Sequence, residues 1–382
     1  MDCRNQAITL KCPAQSDDEC NGDVTTTDAP CFLSSCLDVQ SGTLIRSPRM
    51  AMTFRIILLV ISLLYLKSLL PCQDIQARAE SMIAKARQLS DIRAKSAPAF
   101  RLSVEFSFAN KSLTTVDGTY TETWVSESQW RRETAVGELR HVEIGGPSKH
   151  WVSYSDGFPK EATRLPFLMN IPPPSRAGEL AFTSITQNAT HNAEAECVFT
   201  KPVSDKRIAF CFEKNSGVLL EKIIPEQRPR MMSDFACEYG RFRKFGDYLF
   251  PYEITCFEDG HRTISAKVIE LSSELGAQPS VFAPPTDAIE LPECNGKSVP
   301  PSRVGRDFGF SGLHLTQLAW VPAWLVIDAN ARLQTVRVLS TEAKSSYESS
   351  LKTLQSWSFH SGTCDSKSIA MPLIVEIPYT PR

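Results

Sequence analysis

Cysteine and histidine are the residues here with the widest chemical range, and their spacing gives no catalytic or metal-binding template. Five cysteines (Cys3, Cys12, Cys20, Cys31 and Cys36) precede a short apolar stretch, Cys72 borders it, and Cys197, Cys211, Cys237, Cys256, Cys294 and Cys364 come after it. None of the later six forms a CxxC or CxH pattern, which argues against zinc and against a thioredoxin-like redox site. An even number of cysteines behind an export-type segment points to disulfides instead. The histidines (His141, His150, His191, His261, His314 and His360) are scattered with no HxxxH or HExxH pair, so each reads as a solvated or packed side chain. Gly309-Phe310-Ser311-Gly312 is not a GxSxG elbow, and no P-loop or GxGxxG occurs. Asp156 and Asp259 each precede a glycine, as turn residues do. Asn110-Lys111-Ser112 and Asn188-Ala189-Thr190 match the glycosylation sequon, which matters only in a eukaryotic secretory route. No catalytic, cofactor or metal residue is expected.

The apolar stretch Ile56–Leu66 is preceded by Arg46, Arg49 and Arg55 and followed by Lys67. It covers only about half of a bilayer's hydrocarbon core, which takes roughly 20 helical residues. A basic lead-in and a run this short are the layout of a secretory h-region, so the chain beyond residue 72 is expected to work outside the cytoplasm. Residues 1–49 are polar and aperiodic, and Met50 and Met52 stand where such a signal would begin. The expectation is an upstream extension or a disordered tail. Leu69-Leu70-Pro71-Cys72 resembles the lipobox of bacterial lipoproteins, which implies lipidation of Cys72; cleavage, or a retained anchor through residues 54–72, stays open alongside it.

A net charge of −2 with no basic cluster excludes a nucleic-acid footprint. Behind the signal, Ile75, Ala79, Met82, Ile83, Ala86 and Leu89 recur at helical spacing, so residues 73–95 read as an amphipathic helix docked on a sheet. Phe100, Leu102, Val104, Phe106 and Phe108 then alternate strictly with polar residues, the signature of a strand with one apolar face. Short strands at 119–125, 129–133, 139–144 and 149–154 continue it as an antiparallel meander. The proline-rich segment 158–180 reads as a loop or short helix over one opening. Strands resume from 195 to 270. Cys197 and Cys211 flank a hairpin, and Cys237 and Cys256 lie on successive strands; cross-strand disulfides suit both pairs, with other connectivities open. Residues 276–303, carrying Pro279, Pro284, Pro285, Pro292, Pro300 and Pro301, read as a linker. Beyond it, a hairpin around Asp328, a helix with Tyr347, Leu351 and Leu354 on one face, and a strand at Met371–Tyr379 give a β-β-α-β order. Cys294 and Cys364 are placed to staple the linker onto that domain.

Two resemblances bear on function. Trp324–Leu339, Ser349–Phe359 and Lys367–Tyr379 resemble, in order, the C-terminal domain of TonB-family energy transducers over about residues 318–379. The hairpin turn has Ala331 where that family commonly has glycine. The resemblance implies a module that accepts a partner's peptide strand at a sheet edge. Residues 75–272 resemble periplasmic lipoprotein-sorting carriers through Gly118–Trp124, Gln129–Glu133 and Phe245–Pro251. That resemblance implies a helix and a strongly curved antiparallel sheet around an apolar cavity, with Phe100, Leu102, Val104, Phe106 and Phe108 as candidate lining for acyl chains; the bland alternative is that these five are simply core.

The fold class expected is α+β, a half-barrel sheet with an N-terminal helix at 73–275 and a small C-terminal domain at 304–382. The function expected is that of a non-enzymatic bacterial envelope protein facing the periplasm. It would bind an apolar ligand or lipid, dock envelope proteins by strand addition, and take a possible part in transport. The alternative is a structural envelope protein with no ligand cavity.

Overall fold

Alternating burial, not helix propensity, dominates this chain. A computed structural model describes residues 75–109, 114–172, 180–190, 193–200, 207–227, 232–273, 279–294, 296–304, 319–340 and 348–379. Residues 1–49, Ile56–Leu66, Cys72, the sequon at Asn110 and the Gly309–Gly312 segment lie outside these residues.

A first meander contains β1 (Phe100–Ala109), β2 (Thr115–Ser126), β3 (Gln129–Val136), β4 (Leu139–Gly145) and β5 (Lys149–Tyr154). A second contains β6 (Phe182–Thr190), β7 (Ala193–Thr200), β8 (Ala209–Glu213), β9 (Leu219–Gln227) and β10 (Met232–Gly240). It continues through the small hairpin of β11 (Arg243–Phe245) and β12 (Tyr248–Phe250) into β13 (Glu253–Glu258) and β14 (His261–Ser272). Antiparallel pairing of β1 with β14 joins the meanders. With β15 (Ile289–Pro292), the result is one 13-stranded antiparallel sheet ordered β15-β5-β4-β3-β2-β1-β14-β13-β10-β9-β8-β7-β6. The sheet is open and curved, with β15 and β6 at its edges.

Helix α1 (residues 75–90) buries Ala79, Ile83 and Ala86 against the inner face, where the small alanines let the helix backbone come close. Phe100, Leu102, Val104, Phe106 and Phe108 are all buried there. Gly118 stands opposite Phe106 across β1–β2, and a Cβ on it would lie 2.3 Å from the Phe106 ring, so only glycine leaves room for that aromatic.

The stretch expected as a linker is ordered differently. β15 adds to the main sheet against β5, Lys149 pairs with Glu290 at 2.8 Å, and the Ser153 hydroxyl donates to Asp287 at 2.7 Å. Its prolines do not prevent this, because they open a 3-10 turn (Pro279), fall between elements or, as at Pro292, end an edge strand. β16 (Ser298–Val299) and β17 (Ser302–Arg303) then pair with short strands of the C-terminal region.

That region centres on β18 (Ala319–Ile327), flanked by β19 (Leu333–Val338) and, after helix α3 (Glu348–Gln355), by β23 (Met371–Tyr379). The short strands β20 (Phe359–His360), β21 (Gly362–Cys364) and β22 (Lys367–Ile369) lie between α3 and β23. β18 is buried on both faces. Val321, Ala323, Leu325 and Ile327 form a small core with Leu354, Phe359 and Ile377, while Trp324 and Val326 enter the core of the main sheet. Trp324 meets Tyr154 at 5.1 Å between ring centroids, and Tyr154 stacks on His141 at 3.8 Å. The β18–β19 turn is held by the Asp328 carboxylate, which accepts from Asn330 N and Arg332 N at 2.8 Å each. Ala331 there has φ of 63°, the left-handed region that glycine would enter without strain.

Three disulfides are present among the described residues. Cys197–Cys211 and Cys237–Cys256 join directly opposed residues of neighbouring strands, with Cα separations of 4.0 and 4.1 Å. Cys294–Cys364 closes a separation of 70 residues and fixes the proline-rich stretch to β21.

Candidate functional site on the inner face of the sheet

Register places one continuous row of side chains across the inner face: Val198, Phe210, Lys222, Cys237, Cys256, Ile264 and Phe108, on β7, β8, β9, β10, β13, β14 and β1. All but one belong to the apolar core; the exception is a lysine. Lys222 is 2% exposed, and its Nζ has no hydrogen-bond partner among the described residues. Its cross-strand neighbours are Phe210 and Cys237, neither of which offers a carboxylate. Burial lowers its pKa from the ordinary 10.5 to about 7. Two residues along from Cys237, the Tyr239 hydroxyl is also buried without a partner among the described residues, and burial raises its pKa. Ser233 Oγ on the same strand is a third buried polar atom with no partner.

Lys222 is covered by a short segment crossing the inner face. A 3-10 turn at Glu161–Arg164 runs into α2 (Leu165–Leu168), with Pro166 in the first turn, where a missing N–H costs nothing. Phe158, Ala162, Leu165, Leu168, Met169 and Ile171 are buried beneath it. Phe167 points the other way, 43% exposed, and its ring centroid lies 4.1 Å from Lys222 Nζ. A cation over an aromatic face is attracted by the ring quadrupole, but the ring supplies no lone pair for a full hydrogen bond. A partly exposed aromatic ring therefore lies directly against the buried amine.

The cover and helix α1 are held in place by buried charge. Glu122 on β2 is fully buried and accepts from Arg93 Nε at 2.8 Å, a second Arg93 nitrogen, Arg132 Nε at 3.1 Å and the Tyr120 hydroxyl at 2.9 Å. Burial works to raise this carboxyl, but the Arg93 and Arg132 guanidiniums overcome it and hold the pKa at about 2. Arg93 Nη1 also donates to the Met169 carbonyl at 2.9 Å, tying the cover to the chain just beyond α1. At the other end of α1, Gln76 accepts from Phe182 N at 2.9 Å and Arg78 pairs with Glu196 at 2.6 Å. Lys160 at the start of the cover pairs with Glu376 on β23, and Gly157 N donates to the Val338 carbonyl at 2.9 Å. The cover thus touches both sheets.

The face opposite the core carries a groove of about 830 Å³, lined by Glu105, Ser107, Thr119, Thr255, Glu253 and Lys267 among others. Its side chains are mostly polar and of mixed charge, and of the five inward-facing apolar residues of β1 only Phe106 reaches it. Among the described residues no group of histidine, cysteine, aspartate and glutamate side chains is placed to hold a metal ion.

The five alternating residues of β1 do come together on the inner face, in the same core as Ala79, Ile83 and Ala86 of α1. The six cysteines meet as pairs, away from any redox arrangement. Residue type and spacing do not mark Lys222, Tyr239, Arg93 or Arg132. For Glu122 a signal exists: in Thr119–Trp124, Tyr120 and Trp124 fix the inward phase, and Glu122 shares it. For Lys222 there is none, since Leu219, Leu220, Ile223 and Ile224 surround it in both phases.

No protein-family model and no curated protein matches the chain. It is similar to a solved putative outer membrane lipoprotein-sorting protein domain from Vibrio parahaemolyticus, at 10% identity over 53% of this chain and 97% of that one, with a TM-score of 0.35. It is also similar to a LolA superfamily protein from Nitrosomonas europaea, at 10% identity over 54% and 97%, with a TM-score of 0.36. A third is a DUF1329 family protein from Desulfovibrio piger, at 8% identity over 54% and 97%, with a TM-score of 0.38.

Proposed function

We propose that this chain is a non-catalytic envelope protein that works outside the cytoplasm and holds an acyl chain, of a lipid or a lipoprotein, on the inner face of its curved sheet. The observation that carries this is the inner face itself: a continuous apolar surface on an open 13-stranded sheet, closed by one helix and one short segment. Apolar sites on such faces form where the covering elements move more easily than the sheet. Three disulfides and the arginine-led apolar stretch support the extracytoplasmic placement. Membrane attachment through residues 54–72, or through a lipid on Cys72, belongs to the same reading.

The C-terminal sheet is the part suited to a protein partner. Its β19 edge is occupied near Val338 by Asp156 and Gly157 of the main sheet. Among the described residues no strand pairs with the outer edge of β23, where Ile374 is 46% exposed. Strand addition there follows the TonB-type resemblance, and a role in transport would rest on it.

A second reading, a structural envelope protein with a filled core, is favoured by the near-complete burial of the β1 apolar residues. Titrating the purified full chain with diphenylhexatriene, a neutral fluorophore that brightens in apolar surroundings, separates the two. A saturable rise in emission, reversed by hexadecanol, is expected; no rise above buffer would leave only the structural reading standing.

A further inference from the structure

We infer that Lys222, with the Tyr239 hydroxyl beside it, is the head-group site for a long-chain carboxylate, and that Phe167 is the ring such a ligand displaces. This rests on the acyl-binding reading and adds to it the chemistry of the head group.

The amine lacks what an amine needs. Lys222 Nζ is buried, has no hydrogen-bond partner among the described residues, and meets the faces of Phe167 at 4.1 Å and Tyr239 at 5.8 Å. A buried donor without an acceptor is strongly unfavourable, and most native structures avoid it. The lowered pKa of Lys222 is the expected response to that setting. Tyr239 contributes a second buried donor on the adjacent strand, also without an acceptor. Two donors and no acceptor describe the complement of a carboxylate, which accepts on two oxygens and donates nothing. A neutral alcohol oxygen could accept from these donors, but without the negative charge that strengthens a bond to an ammonium. A cationic head would be repelled.

The surroundings suit the rest of the molecule. Phe210, Val198 and Ile264 continue the apolar row on either side of Lys222, so an acyl chain lying along the inner face would leave its head at the amine. Phe167 is the large side chain of the cover that faces solvent, while its neighbours Leu165 and Leu168 anchor the segment. Rotation of that ring opens the amine without unfolding the cover. The ion pair formed between carboxylate and ammonium then replaces a cation–ring contact in a low-dielectric place, where the pair is worth more than it would be in water.

The test compares hexadecanoate with hexadecanol, which have equal chains, on the full chain and on Lys222→Met, Lys222→Arg and Phe167→Ala. Competition with diphenylhexatriene gives the affinities. Hexadecanoate is expected to bind the parent roughly tenfold to a hundredfold more tightly than hexadecanol, as a charge-assisted pair implies. The preference is expected to vanish in Lys222→Met, to persist in part in Lys222→Arg, and association is expected to quicken in Phe167→Ala. Equal binding of acid and alcohol by the parent, or an undiminished preference in Lys222→Met, overturns the head-group site and leaves the acyl-binding reading intact. Failure of both ligands to bind the parent overturns both.

Discussion

Replacing Lys222 by methionine should stabilise this protein, and the size of the gain should depend on pH in a way set by one group. In the unfolded chain Lys222 titrates near its ordinary 10.5; in the folded chain burial lowers this to about 7. Between those values the unfolded state binds more protons than the folded one, so the lysine's contribution to stability improves as pH rises. Below about 7 the unfavourable contribution is fully present; above 10.5 it is gone. At about 1.4 kcal/mol for each pH unit, the displacement corresponds to roughly 5 kcal/mol. Methionine has a similar stem and no charge, and it fits among Phe210, Phe167 and Tyr239. Urea unfolding of parent and Lys222→Met, disulfides intact, followed by tryptophan emission at several values between about pH 6 and pH 10, measures the difference. The variant is expected to be more stable by several kcal/mol near pH 6, with the gap closing by about 1.4 kcal/mol per pH unit above roughly 7. A gap that stays constant across this range would refute the account, because the aromatic rings around Nζ do not titrate with that sign. A parent more stable than the variant at the acid end would refute it as well, by requiring an acceptor near the amine.

Two further substitutions have calculable outcomes. Glu122→Gln leaves Arg93 and Arg132 buried without their carboxylate and should cost about 3–5 kcal/mol in the same unfolding assay. Because the folded Glu122 pKa is held at about 2 against an ordinary 4.5, the parent's advantage over this variant should be complete above pH 4.5 and fall away as pH drops toward 2. Ala331→Gly relieves the positive φ of the β18–β19 turn and should raise stability by about 0.5–1 kcal/mol, less than the full left-handed penalty because glycine also gains freedom in the unfolded chain.

The strands were legible because the sheet is wet on one side. Phe100 to Phe108, Tyr120 to Trp124 and the turns between them carry their phase openly, and cross-strand cysteines follow once the strands are placed. Helix α1 was visible for the same reason, at a period of about 3.6. Where a strand is apolar in both phases, the pattern loses its direction. β9, with two leucines before and two isoleucines after Lys222, hid the orphan amine in that way. β18, as Ala319–Ile327, is apolar throughout because it serves two cores, and no sequence rule says which of its residues turn toward the main sheet. The proline-rich stretch misled for a different reason: prolines exclude a strand from a sheet interior, and β15 is at an edge. Charged pairs such as Arg93 with Glu122 are non-local and leave no spacing to detect.

The contact between Trp324 and Tyr154 also sets an order of events in biosynthesis. These residues are separated by roughly 170 positions, which at 5–20 residues per second means about 10 to 30 s between the emergence of one and the other. The central partner of β1, β14, arrives after a comparable wait. Until then the growing chain has a strand, β1, paired with β2 on one edge and open on the other, and an uncovered patch of His141, Tyr154 and Phe158. A protein built this way joins its two meanders only once β14 has emerged, and it is exposed to aggregation for that interval.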